Sequence, residues 1–67
     1  MSAPARQRPL TDLQQRVLGL VQHRALTLGS VASQTLTTRG QATRALNVLI
    51  DRGLIQYSDG YFHRRHP

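Results

Sequence analysis

Residues 37–55 read T-T-R-G-Q-A-T-R-A-L-N-V-L-I-D-R-G-L-I. Thr38 is placed to cap a helix, because its hydroxyl can accept from a first-turn backbone N–H that has no partner within the helix. Gln41, three residues on, can accept from the Thr38 N–H in return, which completes a capping box. Ala42, Ala45, Leu46, Leu49 and Ile50 then follow at i, i+3, i+4, i+7 and i+8, a continuous apolar face at helical period. Gly53 supplies the left-handed residue that ends such a helix, and Leu54-Ile55 start an extended run. The spacing predicts a helix over 38–52 with one side in a core. Its other side carries Gly40, Thr43, Arg44, Asn47 and Asp51, with Arg39 in the first turn and neither Glu nor Lys among them.

At 67 residues the chain makes one domain. A domain of this size buries only roughly 60% of its unfolded surface, so a partner subunit would help its stability. Charge is the informative quantity. Nine basic residues stand against three acidic ones, a net charge of +6, with a pI near 11.7. An excess this large in so small a domain points to a polyanion, nucleic acid first. Every basic residue is arginine, whose planar fork fits phosphate and the guanine edge; a GC-rich coding bias would also favour arginine over lysine. Cysteine is absent, which excludes disulfides and thiolate metal sites. No stretch has the length of a membrane span and no signal peptide opens the chain, so the expected location is cytoplasmic, on the nucleoid.

Residues 1–9 hold Pro4, Pro9, Arg6 and Arg8 without apolar periodicity, and read as a flexible basic arm. A first helix opens at Thr11, again with capping-box spacing to Gln14, and its stripe is Leu10, Leu13, Val17, Leu20 and Val21. Gly19 interrupts it, either as a point of close helix approach or as a tolerated defect. Ala25-Leu26-Thr27 suggests a short edge strand. A second helix is expected over about 28–34, capped by Thr27, with Leu28, Val31 and Ala32 inward. Thr35-Leu36-Thr37 forms the turn that follows, with Leu36 expected as an apolar plug beneath the third helix. Leu54–Tyr57 and Tyr61–His63 read as strands joined at Asp59-Gly60, a hairpin signal because a type I′ turn needs two positive φ values. Of the alternating Tyr61 and Phe62, Phe62 is the expected core member. Residues 64–67 form a basic tail.

The order helix, short strand, helix, turn, helix, hairpin is α+β. Residues 10–63 resemble a winged helix-turn-helix domain, with three helices and a short C-terminal wing. The resemblance rests on L-T-x-L-Q-Q-R-V-L-x-L in the first helix, T-L-x-S-V-A in the second and A-T-R-A-L-N-V-L-I-D-R-G-L-I in the third. It is similar to bacterial regulators of the multiple-antibiotic-resistance and arsenic-repressor groups. The chain departs from those groups at Leu36-Thr37-Thr38, where they often carry a Gly followed by an apolar residue. It also lacks their long dimerisation helices and an effector pocket. The resemblance implies that the third helix is a recognition helix.

The residues point the same way. Arg44 can donate bidentately to guanine O6/N7 and Asn47 can pair with adenine N6/N7. Thr43 offers a methyl to thymine or a hydroxyl to phosphate. Thr38, Arg39 and Gln41 stand at the helix N-terminus, where a phosphate is favoured, with Gln41's first task being the cap. Tyr61, His63, Arg64 and Arg65 are wing-side candidates for the backbone or minor groove, and Arg6 and Arg8 are arm candidates. Catalysis fails on inventory: Asp12, Asp51 and Asp59 are scattered, and His23, His63 and His66 lack metal-ligand spacing. No cofactor, metal, membrane or small-molecule substrate is expected. The expectation is a DNA-binding regulator, a repressor or mobile-element regulator, with double-stranded DNA as partner and homodimerisation on a two-fold site. A protein–protein module of a larger complex would require an apolar or acidic face where Arg, Asn and Thr stand. Z-form or RNA readers of similar architecture use a third-helix aromatic and a wing Trp, and here Asn47 and Val48 stand in the helix and Trp is absent.

Overall fold

Each of the three helices begins at a threonine. In the computed structural model, which describes residues 8–65, the Thr11, Thr27 and Thr38 hydroxyls accept from the backbone N–H of Gln14, Ser30 and Gln41 at 3.1, 3.2 and 3.1 Å. Gln14 and Gln41 return the favour, their Oε1 atoms accepting from the Thr11 and Thr38 N–H groups, so both expected capping boxes form. The caps fix the starts of α1 (Asp12–His23), α2 (Leu28–Thr35) and α3 (Arg39–Asp51). Strands β1 (Ile55–Ser58) and β2 (Tyr61–Arg64) pair antiparallel, with Tyr57 opposite Phe62 and Ser58 opposite Tyr61. This is the α+β winged helix, with the hairpin as its wing.

The core is made by one face from each element. Val17 and Val21 come from α1, Val31 and Ala32 from α2, and Ala42, Ala45, Leu46 and Leu49 from α3. Ile55 of β1 and Leu26 of the α1–α2 connection close it. Phe62 packs partly against this cluster while Tyr61 stays outside, as the alternation implied. The expected edge strand over residues 25–27 shrinks to a single bridge. Leu26 donates to the Phe62 carbonyl at 2.9 Å and accepts from its N–H at 2.7 Å, which ties the wing to the helices. Gly19 is exposed, and a Cβ there would meet nothing within 4 Å, so no helix approaches it. At the hairpin tip Asp59 and Gly60 take φ of 53° and 84°, the two positive values a type I′ turn requires.

One expectation is overturned. Leu36 does not plug the underside of α3; it is 92% exposed. It closes α2 in the left-handed conformation, φ 58° and ψ 41°, with Thr37 N–H donating back to the Ala32 carbonyl at 3.0 Å. The reversal at Leu36 ends the helical progression one residue too soon for its side chain to continue the face of Leu28, Val31 and Ala32. The inward slot falls instead to Thr35, the buried polar residue among those described. Its hydroxyl donates to the Val31 carbonyl at 2.7 Å and lies 2.8 Å from the Thr37 hydroxyl, so its burial leaves no polar atom unsatisfied. The left-handed backbone costs a leucine roughly 1–2 kcal/mol that a glycine would escape.

Candidate nucleic-acid interface

Helix α3 is divided lengthwise. Ala42, Ala45, Leu46 and Leu49 are buried, whereas Gly40, Arg44, Asn47 and Asp51 are exposed on the opposite side. At about 100° per residue, Arg44 and Asn47 stand some 60° apart on that crest, one to each side of its midline. Their surroundings agree. Arg44 lines a shallow hollow of about 210 Å³ on the α1 side, with Gln14, Gln41 and Val48. Asn47 and Thr43 line a cleft of about 310 Å³ on the wing side, with Leu28, Tyr57 and Phe62. Helix α3 thus presents a guanidinium and a carboxamide from one ridge, with no core duty on either. Both types pair with base edges in the major groove.

The N-terminal end of this ridge is polar and tightly organised. Thr38 and Gln41 are engaged with one another through the capping box, so their side chains are committed to the helix first. Arg39 is exposed, and its Nη2 lies 3.7 Å from where a Cβ on Gly29 would sit. Its guanidinium therefore rests over the first turn of α2, beside the N-termini of two helices. Backbone N–H groups, helix dipoles and a guanidinium together favour an anion there.

The register places Gln56, Ser58, Tyr61 and His63 on the wing's outer face, opposite the buried Ile55, the half-buried Phe62 and Tyr57, which is itself 55% exposed. Tyr61 is 48% exposed. His63 is held by contacts of Nε2 with the Ser58 hydroxyl at 3.0 Å and of Nδ1 with the Arg64 carbonyl at 3.2 Å. Tyr57 stacks at a tilt on Phe62, ring centroids 4.6 Å apart, and borders the α3–wing cleft.

The remaining candidates gather elsewhere. Arg64 pairs with Ile55 at the wing's root, as the last residue of β2. Arg65 Nη1 lies 2.8 Å from the Cβ position of Gly53, just past the end of α3. The carbonyl of Arg8 accepts from Arg52 Nη1 at 2.6 Å, which holds the described start of the chain at that same end. Arg6 lies outside the described residues. The eleven expected contacts among the described residues therefore separate into a ridge-and-wing group and a second basic group at the C-terminal end of α3. Neither the position of Arg39 over Gly29 nor the outward Leu36 was legible in the sequence. The first needs the α2–α3 crossing, and the second needs the sign of one φ angle.

Among the described residues no group of His, Cys, Asp and Glu could hold a metal ion, and no helix is long and apolar enough to cross a membrane. Compared with known proteins, the chain matches a model of the MarR family over residues 8–66, which takes in all three helices and the hairpin. No curated protein and no solved structure matches it.

Proposed function

We propose that this chain, which belongs to the MarR family of winged-helix DNA-binding transcription regulators, binds double-stranded DNA sequence-specifically with α3 in the major groove. The observation that supports this most is the ridge of α3, where Arg44 and Asn47 are exposed while the opposite face is wholly committed to the core. Side chains held on a rigid helix, with no packing task, are those free to read base edges. Arg39 and the first turns of α2 and α3 take a phosphate at the groove's edge, and Tyr61 with the wing's outer face approaches the neighbouring backbone. Arg6, Arg8, Arg64 and Arg65 add charge attraction, the first two from the arm 1–9, Arg64 from the end of β2 and Arg65 from the residue after it. The role is that of a small repressor or mobile-element regulator acting on nucleoid DNA, as a homodimer on a two-fold site.

Selection of bound sites from a random duplex pool at one fixed salt concentration tests the reading. A recovered palindrome, with half-sites about one helical turn apart, is the expected result. Enrichment no greater than that of a scrambled pool would overturn sequence-specific binding, and a recovered site without two-fold symmetry would overturn the homodimer.

A further inference from the structure

Leu36 is held out from the protein by its own backbone. It is 92% exposed, and its φ of 58° is one that leucine adopts only at a cost. Burial does not offset that cost, because the side chain touches no core. The turn around it is firm: Leu36 N–H donates to the Ser33 carbonyl at 3.3 Å and Thr37 N–H to that of Ala32, while the flanking Thr35 and Thr37 hydroxyls lie 2.8 Å apart. Its exposed neighbours Ser33, Gln34, Thr38 and Arg39 are all polar or charged. A single apolar knob thus projects from a hydrophilic surface, two residues before the cap of α3.

Strain kept at an exposed position is a reason to look for an external contact. We infer that Leu36 is a DNA-contacting residue, whose isobutyl group packs against aliphatic groups on the wall of the groove that α3 enters. This rests on the proposed reading of α3. With the N-terminal end of α3 at the groove, the α2–α3 turn lies along its edge. The aliphatic groups a duplex offers there are deoxyribose carbons and the thymine C5-methyl. A polar or glycine residue at this position would leave them in water; leucine removes them from it.

The test compares wild type with Leu36→Gly, which removes the knob and relaxes the backbone together. Leu36→Gly is expected to raise the thermal midpoint by about 4–16 °C. It is also expected to weaken binding to the selected duplex by about five- to tenfold, the loss for partial burial of one leucine. Leu36→Asn, which tolerates the same φ, should weaken binding similarly. Replacing thymines at the groove edge by deoxyuracil distinguishes the two aliphatic sources: a wild-type loss that Leu36→Gly does not share assigns the methyl, and an unchanged wild type assigns the sugar. A more stable Leu36→Gly that binds as tightly as wild type overturns this inference alone. A changed sedimentation mass with unchanged DNA affinity also overturns it and assigns Leu36 to a protein contact. A wild-type chain that retains no duplex overturns it together with the reading beneath it.

Discussion

Gly53 is where the backbone has least choice of side chain. Its φ of 74° ends α3, with Gly53 N–H donating to the Ile50 carbonyl at 2.9 Å and Leu54 N–H to that of Leu49 at 3.0 Å. A Cβ there would also press on Arg65, but that guanidinium ends a flexible arm and can swing aside. The φ angle therefore sets the cost. Gly53→Ala is expected to destabilise by about 1–2 kcal/mol, read as a fall in thermal midpoint of about 4–8 °C per kcal/mol. A midpoint within a degree of wild type would mean that the helix ends another way. Leu46 is the opposite case, fully buried where α3 meets the other helices. Leu46→Ala is expected to cost ~2–5 kcal/mol, enough to unfold much of a domain this small; a shift of only a degree or two in the same melt would contradict the packing. Gly53 was legible because an apolar helical period followed by glycine admits few readings. Leu36 was misread because hydropathy alone places a leucine inside; the αL turn handed the inward slot to Thr35, whose hydroxyl finds the Val31 carbonyl.

At the scale of elements, α3 makes a sharper claim than charge does. Arg44 and Asn47 share its crest yet face different flanks, so under the proposed reading they would meet different base pairs. Arg44→Ala and Asn47→Ala are each expected to relax sequence preference by roughly 1–3 kcal/mol at one position of each half-site. Arg52 is a poor control for this, since it anchors Arg8; Arg16, exposed on α1, is a better one. Arg16→Ala should weaken all sequences alike or not at all. The measurement is competition between the selected site and single-base variants at one salt concentration. Equal loss on every sequence for both ridge variants would make α3 a phosphate binder. The helices were legible from their threonine caps and apolar periods, and the wing from Asp59-Gly60. The strand expected at residues 25–27 was not, because one bridged residue, Leu26, meets the length requirement of no pattern. The wing's root was hidden for a related reason: where Arg64 and Arg65 lie depends on hairpin register, which composition does not encode.

Across the whole molecule, nine arginines against three aspartates make any DNA affinity strongly salt-dependent. The candidate contacts among them can be tested separately. Arg6→Ala/Arg8→Ala keeps the Arg8 carbonyl that Arg52 holds, so it removes charge without releasing the chain. If both side chains meet phosphates, the log–log salt slope should flatten by about 0.9 for each, or about 1.8 together. An unchanged slope would leave the arm in solvent, with the ridge and wing carrying the interaction. The clasp of Arg52 on Arg8, and of Arg65 over Gly53, also has an architectural consequence. Residues 8 and 65 both flank the last turn of α3, so two copies can be joined head to tail by a short flexible tether without threading past the exposed crest of α3. Such a single-chain tandem would hold its second copy at millimolar local concentration, making the tether a covalent ruler for the half-site spacing that the proposed reading requires.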